Sequence, residues 1–172
     1  VWPTGFPVFS PHQPPDPMPA IYEHHHRVVA RDIDGQGHAG NVAYVGWMQD
    51  AAVAHSTAQG WTPERYEDTR AGWVVRHHDI EYLQPAWEND QLVIVTWVAD
   101  FKKLTSLRRY RIVRRDPPGE NGGESVETVL AVAATDWVYI GFERRMPRRI
   151  PAELSAAFEV VPDAPGDGSI TS

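Results

Sequence analysis

The stretch Asp32-Ile33-Asp34-Gly35-Gln36-Gly37-His38-Ala39-Gly40-Asn41 decides how the rest of this chain is read. Its glycines and short polar residues predict a turn. Directly after it, Tyr44, Trp47, Met48, Ala51 and His55 recur at helical spacing, which predicts a helix from Val42 to about Gln59. Asn41 is the predicted N-cap. Gly60 stands where a C′ glycine belongs, and Pro63 follows. A carboxylate, a glycine-rich turn and a helix N-terminus thus fall side by side. Those are the parts needed to attack a carbonyl and to stabilise the oxyanion that forms.

Working outward, the helix is rich in small apolar residues, Ala43, Ala51, Ala52 and Ala54, so a sheet can approach it closely and most of it is predicted to be buried. Tyr22 to Ala30 reads as a strand before the turn. Four β segments follow the helix: Trp73 to Tyr82, closed by Pro85; Gln91 to Phe101, a nearly continuous apolar run of central-strand type; Leu104 to Arg114, with Leu107, Arg109, Arg111 and Val113 on one side; and Thr128 to Tyr139. The stretch Asp116-Pro117-Pro118-Gly119-Glu120-Asn121-Gly122-Gly123 is a hairpin loop by composition. Ile150 to Phe158 is predicted as a short closing helix. One long helix and one antiparallel sheet must cover each other's apolar faces. The expected class is α+β, with a curved antiparallel sheet wrapped around a long central helix.

Seven prolines in residues 1–20 exclude regular helix and interior strand there, so this segment is expected to be an extended arm. The domain proper is expected over residues 21–159 and a flexible tail over 160–172. Seven tryptophans in 172 residues point to a packed sheet or an aromatic-lined pocket.

Composition narrows the function classes. The formal charge of −7 gives no basic footprint for nucleic acid. The absence of cysteine excludes a disulfide framework, a thiolate nucleophile and a sulfur-ligated zinc site, and it fits a cytoplasmic setting. No apolar run reaches the ~20 residues of a membrane span, and the first residues do not read as a signal peptide. No Gly-x-Ser-x-Gly elbow is present. His24 and His26 share a strand face, but no third ligand stands near them, so no metal site is expected.

Several short segments together resemble the hotdog-fold thioesterases, in the 4-hydroxybenzoyl-CoA thioesterase-like branch. Asp34-Gly35-Gln36-Gly37-His38, with Asn41 and Tyr44 after it, is similar to that branch's Asp-x-x-Gly-His-x-x-Asn signature. Ile80 to Ala86, with Asp90 and Leu92, is similar to its second-strand motif. Leu104-Thr105-Ser106-Leu107-Arg108 is similar to its third-strand motif, and Arg149-Ile150-Pro151 with Leu154 to its C-terminal closure. The chain departs from the pattern at Gly40, where relatives often carry a second Asn. The resemblance spans roughly Tyr22 to Phe158. It implies one β-wrapped helix per subunit, assembly into homodimers or homotetramers, and hydrolysis of an acyl-CoA or acyl-carrier thioester. CoA enters only as part of the substrate, with no metal or organic cofactor.

The resemblance also implies roles. Asp34 corresponds to the catalytic carboxylate, as nucleophile or as general base for water; read from the turn alone, it can equally serve to cap that turn. The amides at Asn41 and its neighbours would hold the oxyanion. Gly37 would let the substrate approach, and His38 would orient Asp34 or a water, or simply bond the backbone. Lys102, Lys103, Ser106 and Arg108 lie where such proteins hold CoA, its phosphates above all; a solvated strand face is the plainer reading. Tyr44, Trp47, Met48 and Trp73 would line the acyl slot, although each also suits a core. Two rival functions stay open: an acyl-thioester dehydratase or hydratase, and a non-catalytic acyl-CoA-binding module.

Overall fold

The computed structural model describes residues 19–116 and 126–162. The N-terminal arm up to residue 18, the loop from Pro117 onward and the tail from residue 163 lie outside the described residues. The elements are β1 (Ile21–Arg27), a 3-10 turn (Ala30–Asp32), α1 (Asn41–Ala58), α2 (Pro63–Thr69), β2 (Ala71–Tyr82), β3 (Gln91–Phe101), β4 (Thr105–Asp116), β5 (Val126–Gly141), β6 (Met146–Pro147) and α3 (Ala152–Ala156).

The strands form one sheet in the order β1-β3-β4-β5-β2, with β6 on β5, and every pairing is antiparallel. The sheet curls around α1, so the expected architecture stands. β3 is central and apolar on both faces, as its uninterrupted run implied. The strand expected to continue to Ala30 stops at Arg27, because Asp32 folds back to accept the Val29 amide at 3.0 Å and closes a 3-10 turn.

α1 ends as its sequence predicts. Gly60 adopts φ +79°, the Trp61 amide donates to the Ser56 carbonyl at 2.9 Å, and the Gly60 amide donates to Thr57 at 2.9 Å. That pair of bonds is a Schellman motif, and it needs a residue at ease in the left-handed region. The start of α1 differs by one position. Gly40 is the N-cap and Asn41 the first helical residue. α2 was not evident from periodicity; Thr62 caps it, accepting from the Arg65 amide at 3.3 Å, with Pro63 in the first turn.

Two apolar clusters fill the space between helix and sheet. Tyr44, Trp47, Met48 and Ala51 pack on Leu92, Ile94, Tyr110, Ile112 and Leu130. Beyond the far end of α1, Trp61, Ala71, Val98, Tyr139, Ile150, Leu154 and Phe158 form the second. Among the described residues no helix is long and apolar enough to cross a membrane.

Candidate active site

The turn between β1 and α1 is held at several points. Ile33 bridges Ala39, the Asp34 amide donates to the His38 carbonyl at 2.9 Å, and the Gly37 amide donates back to the Asp34 carbonyl at 3.0 Å. Gly37 sits at φ +87°, which a side-chain-bearing residue adopts only under strain. The Ala39 amide ties the turn to the Ala86 carbonyl, and the Gly40 amide ties it to the Asp32 carbonyl, both at 2.9 Å.

These bonds leave Asp34 exposed, with its carboxylate lying against Gly40. A Cβ built on Gly40 would meet Asp34 Cβ at 3.2 Å and Oδ2 at 3.5 Å. Asp34 Oδ1 accepts from the Gln36 amide at 2.8 Å, the Asx turn that its sequence position suggested. The two readings of Asp34 are therefore compatible: one oxygen braces the turn while the other lies at the mouth of α1.

At that mouth no side chain caps the helix. The Gly40 and Ala43 amides are bonded to backbone, whereas the Asn41 and Val42 amides have no acceptor among the described residues. Free amides at the positive end of an 18-residue helix stabilise negative charge placed there. His38 is half-buried; its Nδ1 lies 3.2 Å from the Ala39 carbonyl, and its ring meets Trp87 edge-on with centroids 6.1 Å apart.

The four residues expected to form one acyl slot are separated. Tyr44, Trp47 and Met48 sit at i, i+3 and i+4 on the face of α1 turned to the sheet, and they are core residues. Trp73 stands elsewhere, in the wall of a cavity of about 360 Å³ beside the C-terminal half of α1. That cavity also takes Ala52, Ser56, Trp61, Phe101, Trp137 and Phe158 as walls, and no motif or spacing in the sequence marks Trp61 or Trp137.

The expected CoA-binding group is split as well. Lys102 and Lys103 are exposed at the β3–β4 turn. Ser106 and Arg108 alternate onto the inner face of β4, and both are buried in the cavity wall. Ser106 Oγ donates to the Asp100 carbonyl at 3.0 Å. Arg108 Nη1 donates to His55 Nδ1 at 2.9 Å and to Thr96 Oγ1 at 3.2 Å. Burial, and then the neighbouring Arg108 guanidinium, push the His55 pKa down to about 4, against the opposing effect of its bond to the Pro19 carbonyl. With Nδ1 accepting from Arg108, the proton sits on Nε2, which donates to Pro19 at 3.0 Å.

His24 and His26 do point to one face, and His26 Nε2 lies 3.1 Å from Asp32 Oδ2. Among the described residues no group of three or more His, Asp or Glu side chains is arranged to hold a metal.

Comparison with known proteins adds to this geometry. The family model described as the acyl-ACP thioesterase N-terminal domain matches residues 19–158. No curated protein sequence matches the chain significantly. Among solved structures, an oleoyl thioesterase from Lactobacillus plantarum superposes with a TM-score of 0.70 at 23% identity, covering 84% of this chain and 54% of that one. The chain thus spans about half the length of that protein. A 1,4-dihydroxy-2-naphthoyl-CoA thioesterase from Synechocystis gives 0.66 at 17% identity, covering 80% and 94%. A 4-hydroxybenzoyl-CoA thioesterase variant bound to 4-hydroxybenzoyl-CoA gives 0.72 at 16%, covering 82% and 100%. At these identities the likeness is one of fold.

Proposed function

The chain belongs to the acyl-ACP thioesterase family, with a hotdog fold, and from that premise we propose that it hydrolyses an acyl-CoA or acyl-carrier thioester at the turn around Asp34. The observation that carries this reading is the Asp34 carboxylate lying against the N-cap glycine, beside the unpartnered Asn41 and Val42 amides.

In the general-base route, Asp34 takes a proton from water and the resulting hydroxide adds to the thioester carbonyl. The oxyanion is held by the Asn41 and Val42 amides, each such donor being worth ~10²–10³ in rate. Collapse of the intermediate breaks the C–S bond, and the departing thiolate recovers the proton. In the nucleophilic route, Asp34 itself adds to the carbonyl, expels the thiolate as an anhydride forms, and water then cleaves the anhydride. Both routes yield one carboxylic acid and one thiol. Exposed Asp34 has access to water, as either route requires. Gly37 keeps the turn open to the substrate. Lys102 and Lys103 are exposed at the far end of β3 from that turn, Lys102 with its Nζ 3.6 Å from Asp100 Oδ2, so contacts from them to the phosphates of the carrier handle require a second subunit.

We place the working form as a homo-oligomer, because β2 is paired only on its β5 side and its outer edge has no partner among the described residues. Light scattering of the purified chain tests this.

The test of function is thiol release from a panel of acyl-CoA and acyl-carrier thioesters, comparing the wild type with Asp34→Asn. Hydrolysis that falls at least ~10³-fold in the variant, with folding and assembly unchanged, is the expected result. Equal activity in the variant removes Asp34 from the chemistry. Binding without turnover in the wild type replaces hydrolysis with the acyl-CoA-binding reading. Single turnover in ¹⁸O-water has one diagnostic outcome: label found in Asp34 marks the nucleophile, through attack of water on the Asp34 carbonyl of the anhydride, whereas label confined to the product fits either the base or attack on the acyl carbonyl.

A further inference from the structure

Arg108 is only 6% exposed, yet among the described residues no carboxylate pairs with it. A guanidinium cannot shed its charge in a protein, and burying one unpaired costs several kcal/mol. Its bonds to His55 and Thr96 use Nη1 alone, and both acceptors are neutral: His55 stays uncharged to about pH 4 and Thr96 carries a hydroxyl. Phe158 adds a cation–π contact at 5.9 Å. Among the described residues Nε and Nη2 have no hydrogen-bond partner, and they form the side of the fork that grips a carboxylate with two parallel bonds.

The space beside that fork is the cavity of about 360 Å³, within the ~300–1,000 Å³ range of small-molecule sites. Its wall is largely aromatic: Trp61, Trp73, Phe101, Trp137 and Phe158. Four of its polar groups are already engaged. The Tyr66 hydroxyl meets Ser56 Oγ at 2.9 Å and the Trp73 indole N–H at 3.1 Å, and Ser106 Oγ donates to Asp100. The single acid in the wall, Glu67, is exposed on α2 and makes no ion pair with Arg108. An apolar chamber with one unspent cationic fork is complementary to an apolar ligand carrying one anionic head.

We propose that this cavity binds an apolar carboxylate, held through its two oxygens by Arg108. The cavity begins at Gln49 and Ala52, nine and twelve residues along α1 from Gly40, which is roughly 13–18 Å from the Asp34 turn at 1.5 Å per residue. Within one chain the site is therefore separate from the proposed reaction centre. Its ligand is either a free acid, as thioester hydrolysis releases, or the far-end carboxylate of an acyl group.

The test uses the full chain and three probes of equal length: octanoate, octanamide and octan-1-ol. Binding is followed by calorimetry and by tryptophan emission, since three tryptophans stand in the wall. The expected result is that octanoate binds about 10–100-fold tighter than either neutral probe, the span expected for hydrogen bonds to a charged group. Arg108→Met should erase that preference. Replacing a buried charge by an apolar residue of similar size is often neutral for stability, and the three-probe comparison in the wild type needs no variant. Equal binding of all three probes by the wild type overturns the proposal. So does binding of none.

A second arm identifies the source, and it alone rests on the thioesterase reading. Hexadecanedioyl-CoA and hexadecanoyl-CoA differ only in the far-end carboxylate, and both chains are long enough to span the distance from the Asp34 turn to the cavity. A preference for hexadecanedioyl-CoA that Arg108→Met removes assigns the site to the acyl group, and octanoate binding without such a preference assigns it to a free acid.

Discussion

The side chain of Asp34 crowds the space that a methyl group on Gly40 would fill, with Asp34 Cβ 3.2 Å and Oδ2 3.5 Å from that position. Gly40 itself has φ −72° and ψ 156°, a conformation open to any residue. What the glycine provides is room rather than backbone freedom. Gly40→Ala should displace the carboxylate by a few tenths of an ångström from the helix mouth. Thioester hydrolysis is expected to fall about 10-fold, since a misplacement of ~1 Å can cost about 10². Stability should drop by no more than about 1 kcal/mol, the penalty of alanine at an N-cap. Unchanged kcat in a stable Gly40→Ala variant would separate Asp34's position from its activity.

Asp32 and Asp34 are two residues apart and do different things. Asp32 Oδ2 accepts from the Val29 amide at 3.0 Å and lies 3.1 Å from His26 Nε2, while the Asp32 carbonyl receives the Gly40 amide. Asp32→Ala leaves the Val29 amide and the His26 ring without that partner, and it should cost about 1–2 kcal/mol in urea unfolding. Asp32→Asn retains an acceptor oxygen and should recover much of that stability and most of the thiol release. The opposite pattern is expected at position 34, where Asn keeps stability and loses turnover. An Asp32→Asn variant as inactive as Asp34→Asn would mean that the two carboxylates act together.

The sheet and α1 were legible because their signals are redundant. β3 is an apolar run that no proline or glycine interrupts, and its observed bounds are Gln91–Phe101 as read. α1 ends where glycine meets a left-handed requirement at Gly60. α2 escaped notice because Pro63–Thr69 carries one large apolar residue, Tyr66, and so shows no periodicity, although Thr62-Pro63 is a helix-start signal. The acyl-slot reading failed to hold the four residues together for a different reason. Spacing along α1 tells which side chains share a face, and that face proved to be the one packed on the sheet. Charge and the family resemblance group Arg108 with the residues that would hold CoA or with a solvated strand face, and neither reading buries it. Alternation had already set Leu107, Arg109 and Arg111 on one side, and the remaining side, Ser106, Arg108, Tyr110 and Ile112, is the one that is buried. Charge is a poor guide to facing where a cavity and two neutral acceptors can house a guanidinium.

Gly60→Ala tests the end of α1. At φ +79° an L-residue loses about 1–2 kcal/mol. The added Cβ would meet nothing closer than Arg65 Nη1 at 3.9 Å, so packing contributes little and the cost is one of backbone conformation. Chemical denaturation should show a loss of that size, and Gly60→Asn should show a smaller one, because Asn tolerates the left-handed region better. Equal losses for the two would point to side-chain crowding around Trp61 instead.

His55 makes stability depend on pH with a defined sign. The folded ring stays neutral to about pH 4, chiefly through burial and then through Arg108, whereas an unfolded histidine takes up its proton near 6.5. Between those values the unfolded chain binds the extra proton, so acid favours unfolding. The contribution is complete above about pH 6.5 and is lost progressively as pH falls to about 4. At about 1.4 kcal/mol per pKa unit, the total is on the order of 3 kcal/mol. His24 and His78, also shifted downward by burial, act in the same direction. Urea midpoints should therefore fall between pH 7 and pH 5, before most carboxylates titrate. Nitrogen-15 shifts of the His55 ring isolate its share. They should stay those of the neutral form with the proton on Nε2 across that interval, and a His55 signal that titrates near 6.5 would show that Arg108 and the cavity wall do not hold the ring as described.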